Sequence, residues 1–251
     1  MARLFSWFLS IFLLLLLVKI APSLVLEIKD QYLNLWEPKT KIGHIVIRNE
    51  INELDHYQKN LELFFKNSGI KAILIEIESS GGSVGFCQAL YHEILQLKQE
   101  YKKPVIALSC TRCVSYAYYV ACAADCIICL PSTLIGGIGL GKVPGHDNPA
   151  IAASFYQYFM SDVAARRGLS MADSLDWAEA KLFTGIQALK LHLVDELGSF
   201  YNALQKIKQL ALIERDVELV EPSEKSLREV FVDAIYAIKN SVYQSASSAS
   251  A

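Results

Sequence analysis

Short apolar strands, each running into a serine- or glycine-bearing turn and then a helix, constrain this chain more than any other feature. His44–Arg48 (HIVIR), Ala72–Glu78 (AILIEIE), Pro104–Ser109 (PVIALS) and Cys126–Leu130 (CIICL) read as strands rich in Ile, Val and Leu. Helical patterns lie between them. Asn52–Asn67 carries Leu54, Tyr57, Leu61 and Phe64 or Phe65 near helical spacing, and Val84–Tyr101 and Ser115–Ala124 follow as helices. Strands alternating with helices at this pace predict βαβ units and a mainly parallel sheet, hence an α/β domain. In such sheets, sites form outside the carboxyl ends of the strands. Ser79-Ser80-Gly81-Gly82-Ser83 ends one strand and Ser115 lies beyond another, so the two turns are predicted to face one crevice. Ser115 also opens a helix, where unpaired backbone N–H groups suit a developing oxyanion. A serine there is a candidate nucleophile if a base lies within reach.

From Ala150 the pattern turns helical: Ala150–Arg167, Met171–Ala180, Gly185–Leu191 and Phe200–Leu212, with Val217–Val220 as a last strand. Ser223–Tyr243 is amphipathic, and a Ser/Ala tail follows from Ser245. The chain is therefore divided into an N-terminal membrane anchor or signal peptide over 1–26, a linker over 27–41, an α/β domain over 42–215, a C-terminal extension over 216–244 and a tail over 245–251. The anchor reading rests on Leu4–Val18, an uncharged run behind Arg3 and stopped by Lys19. Extended through Leu26 with Lys19 snorkelling, it reaches the roughly 20 residues a bilayer requires. Ala21-Pro22-Ser23 is a poor cleavage site, which favours an uncleaved anchor over a signal peptide. Arg3 favours a cytoplasmic N-terminus, which would place the α/β domain outside the cytoplasm as a single-pass protein of the cell membrane. A net charge of −2 gives no electrostatic case for nucleic acid, and 53% hydrophobic residues suffice for a sizeable core.

All six cysteines, Cys87, Cys110, Cys113, Cys122, Cys126 and Cys129, fall in the central part of the chain. Cys110-x-x-Cys113 and Cys126-x-x-Cys129 have metal or redox spacing, but Cys122, Cys126 and Cys129 sit in apolar runs, where cysteine packs as a small hydrophobe. Core packing is the favoured reading; a disulfide and an all-cysteine metal site are the alternatives.

Four stretches, in order, resemble the signal peptide peptidase A (protease IV) family of serine peptidases, which has the Clp protease/crotonase-like fold. Glu78-Ser79-Ser80-Gly81-Gly82-Ser83-Val84 resembles the family's Asn-Ser-Pro-Gly-Gly turn. Val114-Ser115-Tyr116-Ala117-Tyr118-Tyr119-Val120 resembles its Ala-Ser-Gly-Gly-Tyr-Tyr nucleophile turn, and Thr133–Gly139 its Thr-Gly-Ser-Ile-Gly turn. Phe183-Thr184-Gly185 through Leu193-Val194-Asp195-Glu196-Leu197-Gly198 resembles its C-terminal signature. The resemblance spans about Ile42 to Leu210. It implies a mainly parallel sheet with flanking helices behind an N-terminal transmembrane helix, and a membrane-associated peptidase that degrades signal peptides or other small hydrophobic segments. It further implies a serine–lysine dyad with Ser115 as nucleophile, an oxyanion hole from the backbone N–H groups of Gly81 or Gly82 and of Tyr116, assembly as a homo-oligomer, and no metal or organic cofactor.

The chain departs from that pattern in three places. Tyr116 and Ala117 replace two glycines, Ser80 replaces a proline, and the segment that carries the family's lysine is shortened to Gly139–Ala150. Lys142 is the nearby lysine and the expected general base, which requires burial to lower its pKa by several units from about 10.4. His146 beside Asp147 is an alternative base, whereas Lys181 aligns with a structural arginine. A catalytically inactive relative that binds peptides or scaffolds a membrane complex is the competing reading. Two weaker ones are a G-x-S-x-G elbow over Gly81–Gly85, which lacks a later Asp and His in the right order, and acyl-thioester chemistry on the same fold.

Overall fold

A computed structural model of the chain describes residues 39–139 and 149–222, together with Trp7, Leu16, Val18, Lys19, Ala21 and Pro22. Most of the expected N-terminal anchor, the amphipathic segment over 223–243 and the tail lie outside the described residues. Among the described residues, no helix is long and apolar enough to cross a membrane. The strands are β1 (Thr40–Arg48), β2 (Ile70–Glu78), β3 (Val105–Ser109), β4 (Arg112–Val114), β5 (Cys126–Cys129), β6 (Leu134–Gly136), β7 (Leu182–Thr184), β8 (Glu196–Leu197) and β9 (Val217–Val220). The helices are α1 (Asp55–Lys66), α2 (Val84–Tyr101), α3 (Tyr116–Ala121), α4 (Pro149–Arg167), α5 (Ser174–Trp177), α6 (Gly185–Lys190) and α7 (Phe200–Leu210), with a 3₁₀ turn at Met171–Asp173.

Chain contacts divide the protein into two units. The smaller comprises Met1–Thr40 with Glu214–Glu218, within which the Thr40 amide donates to the Asp216 carbonyl at 2.9 Å. The larger, Lys41–Ile213 with Leu219–Ala251, holds the candidate site. Its main sheet has the order β8-β5-β3-β2-β1-β9, the last place being filled in this unit by Leu219 and Val220. The pairings β1–β2, β2–β3, β3–β5 and β5–β8 are all parallel. Parallel strands covered on both faces need near-continuous apolar runs, and β2 and β3 have them. The register aligns Ile45, Ile75, Ala107 and Ile127 in one row across four strands. All four are buried in a core shared with Phe64 and Phe65 of α1, Leu90, Tyr91 and Ile94 of α2, and Tyr118 of α3. The α2 positions Cys87, Leu90, Tyr91, Ile94 and Leu97 repeat at three- and four-residue steps, the stripe by which a helix buries one side. On the other face α7 lies against β2 and β3, burying Ala203 and Ile207.

A second, three-stranded sheet has the order β4-β6-β7, with β4–β6 parallel and β6–β7 antiparallel. It joins the main sheet through Ser79, whose amide donates to the Arg112 carbonyl at 3.0 Å and whose carbonyl accepts from the Val114 amide at 3.1 Å. The architecture is the Clp protease/crotonase-like α/β arrangement expected from the sequence. One expected element is corrected: Met171–Ala180 is not a continuous helix. The 3₁₀ turn and α5 end at Trp177, and Glu179 and Ala180 take φ values of 57° and 55°. Tertiary hydrogen bonds draw the chain away from helix here. The Ala180 amide donates to the Ile138 carbonyl at 2.8 Å, and the Lys181 carbonyl accepts from the Gly137 amide at 2.7 Å.

Candidate active site

The site forms where β2 and β4 end. Beyond Glu78 the chain turns sharply, because the Ile51 amide donates to the Gly81 carbonyl at 2.9 Å and the Ser83 amide donates to the Ile51 carbonyl at 3.0 Å. Gly82, with φ +153°, lies so close to this strap that a Cβ would stand 2.4 Å from the Ile51 nitrogen and oxygen. Backbone on backbone leaves no room for any side chain. Gly81, with φ +128°, turns its Cα toward Ser115: a Cβ there would lie 3.4 Å from Ser115 Cβ, 3.6 Å from its Oγ and 3.7 Å from the Tyr116 nitrogen. The two turns singled out by sequence therefore meet.

Ser115 is held from both sides. Val114 donates to Ser79, and the Ser115 amide donates to the Gly136 carbonyl at 2.7 Å. These bonds keep Ser115 at φ 56° and ψ −132°, a conformation L-residues rarely adopt and one that recurs at functional sites. Its carbonyl accepts from the Tyr119 amide at 3.2 Å in the first turn of α3, while its hydroxyl makes no capping bond. The Tyr116 amide is the first N–H of α3, beside Ser115 Oγ, and helices leave their leading amides without intrahelical partners. The Gly81 amide instead donates to the buried Ser79 Oγ at 3.2 Å, and that hydroxyl donates to the Gly81 carbonyl at 3.0 Å.

Glu78 ties the two turns together. Its carboxylate accepts from the amides of Cys110 (2.5 Å), Thr111 (2.9 Å) and Arg112 (3.2 Å), and from the Thr111 hydroxyl. Charge-assisted bonds of this kind are about twice as strong as neutral ones. They fasten the β3–β4 connection, and through it Ser115, to the end of β2. In the sequence Glu78 stands as the last residue of a strand and the first of the stretch that resembles the family's Asn-Ser-Pro-Gly-Gly turn. Its role comes from residues more than thirty positions away, and only a carboxylate at a strand end hinted at it.

The side-chain wall beside Ser115 is aromatic. Tyr116 stacks on Phe159 with ring centroids 4.8 Å apart, and Phe159 meets Tyr119 edge-on at 5.2 Å. Burial pushes the Tyr116 phenol up, with a smaller contribution from Cys87. Phe155, Tyr158 and Phe159 follow one another at helical spacing in Ser154-Phe155-Tyr156-Gln157-Tyr158-Phe159, a signal that could have been read from the sequence.

Five of the six cysteines, Cys110 excepted, are buried, and none is in a disulfide. Burial raises Cys87, Cys122 and Cys126 to about 12 and Cys129 to about 11, and carries Cys113 well above its ordinary value. These thiols pack as apolar groups and stay protonated. Among the described residues no cluster of His, Cys, Asp or Glu could hold a metal ion. Lys142, His146 and Asp147 lie outside the described residues. Lys181 points elsewhere: its Nζ donates to the Leu175 carbonyl. The C-terminal signature is structural. Asp195 accepts from the Ile127 amide at 2.7 Å and takes both guanidinium arms of Arg167, at 3.0 and 2.8 Å, while Tyr118 donates its hydroxyl to the Leu193 carbonyl at 2.6 Å.

The family described as Peptidase family S49 matches over residues 150–214. The chain is 26% identical over 273 residues to a candidate protease of Methanocaldococcus jannaschii, covering 88% of this chain and 86% of the archaeal one. It is 26% identical over 179 residues to Protease 4 of Haemophilus influenzae, covering 57% of this chain and 29% of that longer protein. In fold it is similar to a mutant of the 1510-N membrane-bound stomatin-specific protease, with a TM-score of 0.55 and 19% identity, covering 74% of this chain and 99% of the other. The match to peptidase family S49 and the likeness to these proteases support the resemblance to the signal peptide peptidase A family seen in the sequence.

Proposed function

We propose that this peptidase is a membrane-anchored serine endopeptidase that cleaves signal peptides or other short hydrophobic segments through Ser115, with Lys142 as general base. The observation that carries this reading is the strained Ser115, at φ 56°, with its Oγ facing Gly81 and the leading amide of α3. Ser115 Oγ attacks the scissile carbonyl carbon as the neutral Lys142 amine takes its proton. The oxyanion accepts from the Tyr116 amide and from Gly81 or Gly82, the Gly81 amide exchanging Ser79 Oγ for the substrate oxygen. Collapse expels the new amine, which receives the proton from Lys142, and water then hydrolyses the acyl-enzyme. The anchor over 1–26 would hold the α/β domain at the extracytoplasmic face of the cell membrane, and assembly into a homo-oligomer would confine substrates to short or unfolded segments.

A second reading, an inactive relative that binds peptides or scaffolds a membrane complex, is favoured by two observations. The Gly81 amide is bonded to Ser79 Oγ, and Tyr116 occupies the aromatic wall beside Ser115. Labelling of the purified chain by a fluorophosphonate decides between them. The peptidase reading requires labelling that disappears in Ser115→Ala and falls in Lys142→Ala. A folded wild type that takes no label would establish the inactive relative.

A further inference from the structure

A peptide whose carbonyl is attacked by Ser115 must bring the side chain of that residue against the wall beside the nucleophile. On the helix side that wall begins with Val84, two residues past Gly82, and Gln88 of α2, continues with Tyr116 and Tyr119 of α3, and ends with Phe155, Phe159 and the exposed Tyr158 of α4. These groups line a half-open hollow of only about 10 Å³, roughly what a single water needs. The cause is the Tyr116 ring. It stacks on Phe159, inclined by 25°, and movement toward the core is opposed by the groups behind it. Phe159 is 2% exposed. Tyr119 is stacked on Tyr91 at 4.3 Å and donates its hydroxyl to Asp162 at 2.5 Å. Apart from Gln88 the lining is apolar or aromatic, so the space attracts hydrocarbon but has room for very little of it.

We infer that Tyr116 is a specificity-determining residue: its ring fills the side-chain pocket beside Ser115 and limits the residue on the acyl side of the scissile bond to glycine, alanine or serine. This rests on the serine peptidase reading and adds to it a substrate class, hydrophobic segments cut after a small residue. A branched or aromatic residue at that position would have to displace Tyr116 from Phe159, breaking the stack before the carbonyl reaches Ser115.

The test uses the full chain and two kinds of probe. A fluorophosphonate without a peptide side chain reports on Ser115 alone. Peptidyl diphenyl phosphonates whose residue next to phosphorus is alanine, leucine or phenylalanine report on the pocket. The alanine probe is expected to react with the wild type about tenfold or more faster than the leucine and phenylalanine probes. Tyr116→Ala should narrow or reverse that ratio, and Tyr116→Phe, which keeps the ring, should leave it unchanged. Tyr116→Leu, which removes the ring but keeps an apolar contact with Phe159, should narrow the ratio in the same direction if the alanine variant does not fold. Equal rates across the three peptide probes in the wild type would overturn the inference. So would an unchanged ratio in a Tyr116→Ala or Tyr116→Leu protein that still takes the fluorophosphonate, or a wild type labelled by the fluorophosphonate and by none of the peptides. Failure of the fluorophosphonate itself would refute the serine peptidase reading, and the inference with it.

Discussion

Replacing Gly81 by alanine separates what the turn does for folding from what it does for chemistry. Gly81 sits at φ +128°, a region closed to residues with a Cβ. Forcing alanine into it costs about 1–3 kcal/mol. In a domain of this size each kcal/mol lowers Tm by roughly 2–4 °C, so the variant should melt several degrees below the wild type and remain folded at 25 °C. The new methyl meets no hard contact: its neighbours, Ser115 Cβ, Ser115 Oγ and the Tyr116 nitrogen, stand at 3.4, 3.6 and 3.7 Å. It does occupy the volume between Ser115 Oγ and the Tyr116 amide, where the proposed oxyanion would have to come within about 2.7–3.1 Å of its donors. Denying one such donor costs about 10²–10³ in rate, far more than the strain can explain. The assay pairs the fluorophosphonate labelling rate at 25 °C with a circular-dichroism melt. A folded Gly81→Ala protein that labels at the wild-type rate would refute the placement of the oxyanion beside Gly81.

Ser115→Gly should abolish labelling yet raise Tm. Glycine accepts φ 56° without the strain a serine bears there, a gain of about 1 kcal/mol once glycine's extra unfolded-state entropy is subtracted. Unchanged or lower stability would mean that the Ser115 backbone is not strained. Alkylation by a maleimide at pH 8 should modify only Cys110 rapidly in the native chain and all six cysteines in denaturant, read by intact mass. With folded-state pKa values of about 12 for Cys87, Cys122 and Cys126, almost no thiolate exists at that pH, and it appears only as pH rises toward 12. Fast native labelling of a second cysteine would contradict the buried assignment. Tyr118→Phe should destabilise by about 1–3 kcal/mol in urea unfolding, because it strands the buried Leu193 carbonyl. An effect near zero would show that water reaches that carbonyl.

Much of the frame was legible in the chain. Val84–Tyr101 appears as a helix with the bounds its periodicity predicts, and Val217–Val220 appears as a strand. The alternation of apolar runs and helical patterns is sufficient for a parallel sheet with flanking helices, because burial on both faces leaves its mark on every residue of a central strand. β4, β6, β7 and β8 were not legible as strands, since each is two or three residues long and too short to show a period. The break after Trp177 was hidden for a different reason: its amide and carbonyl partners, Ile138 and Gly137, are about forty residues upstream.

The site divides in the same way. The sequence by itself determined that Ser115 would open a helix and that a double glycine would follow β2, because helix starts and tight turns are local demands on backbone conformation. Tertiary structure alone brought Gly81 within van der Waals reach of Ser115, held Ser115 at positive φ between Ser79 and Gly136, and pressed Tyr116 onto Phe159. Those outcomes depend on hydrogen bonds and ring contacts between residues distant in the chain, whose energies no local pattern encodes.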